Sequence, residues 1–154
     1  MPPKANAECV CAMEDVLAVS TRPYDPQRPV GCLEEARQQR VAETRGPMPA
    51  APGQLARSDY ADERHGTANL CMGFEPLAGQ RRVTVTDRRT TIDFAHVIRD
   101  VVEVHSPQAA TIVLGMDTRN THTPAAWYEA CEPAEARRLL ERLERHHTPK
   151  HGRW

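Results

Sequence analysis

A mixed β-sheet flanked by helices, an α/β domain, is the fold class this sequence predicts, and three observations carry it. Strand-length apolar runs at residues 30–33, 80–86 and 110–116 are interspersed with segments of helical periodicity. Two of those runs end on acids, Glu34 with Glu35 in the first and Asp117 in the last. The chain has 154 residues, room for one such domain with an ordinary core.

The elements follow in chain order. Residues 9–19 read as a short helix, stopped by the turn-rich Arg22-Pro23-Tyr24-Asp25-Pro26-Gln27-Arg28-Pro29. Residues 30–33 are a short buried strand that delivers Glu34 and Glu35 at its end. Between residues 44 and 59, Pro47, Pro49 and Pro52 with Gly46 and Gly53 deny both helix and central strand, so an extended excursion is expected. Residues 66–75 and 80–86 are two strands joined at Pro76-Leu77-Ala78-Gly79, a connection suited to antiparallel neighbours. Thr90 with Asp93 forms a capping-box start, and Phe94, Ile98, Val101 and Val102 then recur at helical spacing until Pro107 intervenes. Residues 110–116 are a strand ending at Asp117, residues 124–131 a helix, and Ala136, Leu139, Leu140 and Leu143 stripe another helix over residues 133–144. Residues 145–151 suit no single element. This order, with acids at the ends of the first and fourth strands, fits an RNase H-like mixed sheet flanked by helices. Residues 1–29 would be an N-terminal helix and linker, and residues 30–154 the domain proper.

Composition excludes some classes and restrains others. Lys plus Arg number 20 against 21 Asp plus Glu, so overall charge does not favour nucleic acid and any such contact must come from local patches. Residues 134–154 hold one, with Arg137, Arg138, Arg142, Arg145, Lys150 and Arg153 beside Glu135, Glu141 and Glu144; Arg81, Arg82, Arg88 and Arg89 make another. No run approaches the roughly 20 apolar residues of a membrane span. The five cysteines and the polar start MPPKANAE, which lacks an apolar signal core, fit a soluble protein of a reducing cytoplasm. Cys32, Cys71 and Cys131 read as small buried hydrophobes.

Acids at neighbouring strand ends suit phosphodiester chemistry, because Mg²⁺ is held by one or two carboxylates with water and substrate phosphate completing its shell. Two such ions about 4 Å apart stabilise both the attacking and the leaving oxygen of an in-line displacement. For an arbitrary pair of acids a solvated sheet rim is the commoner explanation.

Dispersed blocks sharpen this. The segments Pro23-Tyr24-Asp25-Pro26, Pro29-Val30-Gly31-Cys32-Leu33-Glu34-Glu35, Ala50-Ala51-Pro52-Gly53-Gln54, Gly66-Thr67-Ala68-Asn69-Leu70, Val83-Thr84-Val85-Thr86-Asp87-Arg88-Arg89-Thr90, Asp117-Thr118-Arg119-Asn120-Thr121-His122-Thr123-Pro124 and His147-Thr148-Pro149-Lys150-His151-Gly152 resemble, in order and spacing, the mariner-like bacterial insertion-sequence transposases of the DDE superfamily. The resemblance implies an RNase H-like catalytic domain using Mg²⁺ or Mn²⁺, with transposon ends and target DNA as partners. It implies water-driven cleavage at the transposon end followed by attack of the freed 3′-hydroxyl on target DNA. The family's first catalytic Asp falls on Glu34, acidic but one methylene longer, and the Glu after it on Glu35. Its second falls on Asp117, with Asn120 and His122 matching the Asn-x-His that follows. The third acid, a Glu beyond the segment at His151 to Trp154, and the upstream DNA-reading region have no counterpart in this sequence, so a truncated and defective domain is expected.

Asp117 and Glu34 are therefore the candidate catalytic and metal-ligating residues, with Glu35, Asn120, His122 and Lys150 as supporting or phosphate-contacting candidates. Plainer roles stand beside each: Asp117 as a helix cap, Glu34 as a chance acid, and His122 as a hydrogen-bonding loop residue or as the group that orients a ligand or phosphate, the loop role being favoured. Two other functions compete. One is a catalytically inactive relic or regulator that binds DNA, a second copy or a full-length transposase. The other is a structural zinc protein using His146, His147 and His151, with Cys9 and Cys11.

Overall fold

The computed structural model describes residues 7–57, 62–117 and 122–149. Its element order is α1 (Ala7–Ser20), β1 (Val30–Glu43), β2 (Asp62–Glu75), β3 (Gln80–Thr86), α2 (Thr91–Asp100), β4 (Ile112–Met116), α3 (Ala125–Ala130), α4 (Pro133–Glu141) and β5 (Leu143–His147). A π-helical turn, Val101–His105, prolongs α2. The strands form one mixed sheet in the order β3-β2-β1-β4-β5, with β1, β2 and β3 antiparallel neighbours and β1, β4 and β5 parallel.

The first strand departs from its predicted length. Instead of stopping at Glu34 and Glu35, β1 continues to Glu43 in a long hairpin with β2, so the acids lie mid-strand, where the shorter β4 ends beside them. Residues 36–43 lack apolar alternation; cross-strand pairing with β2 makes them a strand. A bulge interrupts that pairing: His65 and Gly66 together face Arg40, and Gly66 takes φ +82°. Gly66, expected at the start of the second strand, is thus a bulge within it. Beyond the hairpin, the proline-rich excursion doubles back through the bridges Met48–Arg57 and Ala51–Gln54.

On one face of the sheet α2, α3 and α4 enclose the core. Phe94, Ala95, Ile98 and Val102 from α2 and its π turn meet Trp127 of α3, Ala136 and Leu139 of α4, and Leu33, Cys71, Leu114 and Met116 of the sheet. The predicted capping box is present: the Thr90 side chain accepts from the Asp93 N–H and the Asp93 carboxylate accepts from Thr90. Helix α1 lies over the other face, with Val16 and Val19 buried near Val30, Cys32 and Gly115. β4 is buried on both faces, as expected of a central parallel strand.

The last predicted helix is corrected. It ends at Glu141, and Leu143 begins the edge strand β5, paired in parallel with β4 from Ile112–Leu143 to Met116–His147. Arg142 sits at the break and donates to the carbonyls of Val102, Ser106, Pro107 and Ala109, satisfying acceptors where the π turn unwinds. Cys71 is buried, with desolvation raising its thiol to about 12, whereas Cys32 and Cys131 are only half-buried. No described helix is long and apolar enough to cross a membrane.

Candidate acid-lined active site

Parallel pairing of β1 with β4 matches Val30 with Val113 and Leu33 with Met116. Adjacent strands lie about 4.8 Å apart, so Glu34 and Asp117, each one step beyond the last pair, leave the two central strands side by side. The register therefore brings the backbones of both sequence-predicted acids to the same end of the β1–β4 pair. Glu34 is half-buried, and the Asp117 side chain keeps 21% of its surface exposed.

Alternation along β1 sends Glu35 the other way from Glu34, to the core face that Leu33 occupies. Glu35 is only 4% exposed. Its Oε2 lies 3.3 Å from Nε2 of His122, and its Oε1 accepts from Nδ2 of Asn69 at 3.4 Å. Asn69 reaches it diagonally, since Cys71 is the residue paired directly with Glu35. Burial alone would raise the Glu35 carboxyl; hydrogen bonding and positive charge from His122, the Asn69 hydrogen bond and the Arg89 charge outweigh it and hold the group below its ordinary value.

His122 connects the two acids. Its ring is buried and stacks on Phe94 of α2, centroids 4.1 Å apart, while Phe94 packs edge-on to Trp127. Nδ1 lies 2.8 Å from Oδ1 of Asp117 and 3.0 Å from its backbone carbonyl oxygen. The predicted loop role is therefore present, with a reach to both carboxylates in addition. His147 adds a contact of 3.3 Å to the same carbonyl, and the Thr148 N–H donates to Met116 O, so β5 also braces the end of β4.

Asn120 and Lys150 lie outside the described residues. Two participants carry no distinctive mark in the sequence: Asn69, which alternation could have flagged as a polar side chain facing inward with Cys71, and Phe94, whose spacing marks it only as core. The basic segment of α4 and β5 is mostly engaged internally: Arg137 pairs with Glu141 and Arg138 with Glu103, Arg142 binds carbonyls, and Arg145 lies over the Trp127 ring. Of the zinc candidates, His146 is held between Asp15 at 2.7 Å and Glu144 at 3.1 Å, and His151 lies outside the described residues. Among the described residues no group of three or more His, Cys, Asp or Glu is arranged to hold a metal.

A family profile described as DDE superfamily endonuclease matches residues 29–154. The chain belongs to the DDE superfamily endonucleases. Its fold is also that of solved Mos1 transposase complexes. The Mos1 strand transfer complex superposes with a TM-score of 0.54 at 14% identity, covering 97% of this chain and 44% of the Mos1 chain. The Mos1 transposase paired-end complex with the left transposon end gives 0.55 at 14% identity with the same coverage. The Mos1 mariner paired-end complex with Mn gives 0.53 at 16%, covering 95% and 44%. The chain thus spans less than half the length of these transposase chains. No curated protein matches it significantly. The sheet order and flanking helices of this DDE-family chain are those of the predicted RNase H-like class.

Proposed function

We propose that this chain is the sheet-bearing portion of a transposase that acts on DNA phosphodiesters with a divalent cation, Asp117 and Glu34 supplying the carboxylates. The observation that carries the reading is the β1–β4 register, which sets an acid on each of two parallel neighbours where β4 ends beside β1. Hard oxygen donors and partial exposure suit Mg²⁺ or Mn²⁺, which take one or two carboxylates and leave positions for water and phosphate. Among the described residues no larger cluster of His, Cys, Asp or Glu is arranged to hold a metal, so these two carboxylates would be the protein's share of the ion's ligands. When bound, the cation would lower the pKa of attacking water and offset charge on phosphate oxygens. The protein's part is to hold the acids: β1 carries Glu34, β4 paired with β5 carries Asp117, and the His122 ring bonds the Asp117 carbonyl and lies 2.8 Å from one carboxylate oxygen. DNA would be bound through phosphate contacts, with Arg81, Arg82, Arg88 and Arg89 as the exposed basic group.

Glu34 carries one methylene more than an aspartate, and a displacement of about 1 Å at a reacting centre can cost about 100-fold in rate. The chain is therefore expected to cleave feebly. A second reading, a non-cleaving domain that binds DNA or a full-length transposase, draws its support from the same residue. The test measures nicking of labelled transposon-end DNA in Mn²⁺ for the chain as it stands, Glu34→Asp and Asp117→Ala. Negligible nicking by the first, with a gain in Glu34→Asp that needs Asp117, supports the proposal. Robust cleavage by the unmodified chain would refute the impaired first acid, and cleavage indifferent to Asp117→Ala would refute the acid site altogether.

A further inference from the structure

We infer that Glu35 is a positioning residue that fixes the Asp117 carboxylate through the His122 ring. The inference rests on the proposed acid site and adds to it a mechanical support that reaches from the core. Glu35, His122 and Asp117 form a line in which the inner members are sealed and the outer one is open: the Glu35 and His122 side chains are 2% and 1% exposed, that of Asp117 21%. Only the last member meets solvent appreciably, where DNA and a cation would arrive.

Burying a carboxylate is expensive, and an apolar side chain of similar size in the same place generally costs less. A structural reading of Glu35 must therefore say what the charge accomplishes, and its contacts provide the answer. Asn69 holds one oxygen and leaves the other, Oε2, facing Nε2 of His122. The ring cannot slide, because Phe94 stacks against it, and it cannot turn without losing contacts at both nitrogens. Each nitrogen faces oxygen acceptors: Glu35 on one side, the carboxylate and carbonyl of Asp117 on the other. The contacts to Glu35 and to the Asp117 carbonyl are hydrogen bonds when the ring carries a proton on that side, and the contact to the Asp117 carboxylate is one of charge. A ring protonated at both nitrogens donates from Nε2 to Glu35 and from Nδ1 to the Asp117 carbonyl oxygen, with Oδ1 of the carboxylate 2.8 Å away, so Glu35 sets the orientation of the ring and the ring's charge that of the Asp117 carboxylate. Carboxylate–imidazole pairs of this kind orient a ligand-bearing group in many sites, and losing the outer member typically weakens metal affinity about 10- to 100-fold. Here the ligating group at the end of the pair is a carboxylate.

The experiment titrates Mn²⁺ into the full chain and reads free Mn²⁺ by electron paramagnetic resonance, with urea unfolding of every variant to establish the folded fraction. Glu35→Gln keeps an acceptor oxygen and the side-chain shape; Glu35→Leu removes the acceptor. The expected order of affinity is wild type, then Glu35→Gln reduced several-fold, then Glu35→Leu reduced at least tenfold, each after correction for folded fraction. A purely structural Glu35 would change unfolding and leave the corrected affinity unchanged. Should Glu35→Leu fail to fold, a several-fold loss in folded Glu35→Gln supports the inference and an unchanged affinity overturns it. Asp117→Asn separates the two claims. If it abolishes binding while both Glu35 variants bind like wild type, the positioning role is wrong and the acid site stands. If it binds like wild type, or if the unmodified chain takes no Mn²⁺, both fall.

Discussion

Replacing Phe94 by alanine removes the side chain that joins the core to the acid site, and its cost can be worked from the structure. The residue is 1% exposed, stacks on His122 at 4.1 Å and meets Trp127 edge-on at 5.9 Å. A buried Phe→Ala change typically costs about 3–5 kcal/mol in lost transfer energy and cavity. Aromatic pairs contribute about 0.5–1.5 kcal/mol beyond area, which places this substitution in the upper part of that range. Native domains have only about 5–15 kcal/mol in total, so Phe94→Ala should leave a marginal protein. Phe94→Leu fills most of the space and gives up chiefly the ring pairs, so about 1–2 kcal/mol is expected. Urea unfolding followed by tryptophan fluorescence measures both, since Trp127 is fully buried beside the site of change. A Phe94→Ala loss below about 1.5 kcal/mol, or equal losses for Ala and Leu, would refute the packing argument.

Further perturbations test other parts of the fold. Glu144 accepts from Arg22, His146 and Arg28, and these bonds, led by Arg22, hold its pKa at about 2 against an ordinary carboxyl value of 4.5. Its folded pKa is depressed, so its contribution is complete above about pH 4.5 and fades as pH falls toward 2; Glu144→Gln should flatten the acid side of a stability–pH profile in that window. Arg142→Ala leaves the carbonyls of Val102, Ser106 and Ala109 without their shared donor and should cost about 1–3 kcal/mol in chemical unfolding, with Arg142→Lys between it and wild type. Thr90→Ala breaks the capping box and should cost about 1 kcal/mol, while hydrogen exchange should show faster opening confined to the first turn of α2.

Local chemistry makes several elements legible in the sequence itself. β3 lies at the residues its alternation marks, α2 begins at its capping box, and the neighbouring placement of residues 30–33 and 110–116 follows from the demand that Glu34 and Asp117 share a site. What is not legible there is decided by partners distant in the chain. Residues 36–43 carry no apolar pattern and become strand through β2. Leu143 continues the helical spacing of Leu139 and Leu140, yet the open edge of β4 draws residues 143–147 into parallel pairing, and local periodicity loses to tertiary contact. The Glu35–His122 contact spans 87 positions, which no local signal could reveal. Block resemblance singles out both residues; the geometry supplies their connection.

The central claim is that Glu34 and Asp117 form a cation site where β4 ends beside the middle of β1. Paramagnetic broadening by substoichiometric Mn²⁺ in the amide spectrum of the ¹⁵N-labelled chain tests it directly, because broadening falls steeply with distance from the ion. Signals of Leu33, Glu34, Glu35, Met116 and Asp117 should be lost first, and Asp117→Asn should restore them. Broadening centred instead on His146 and the α1 residues beside it, or spread evenly over the chain and unchanged by Asp117→Asn, would contradict the claim.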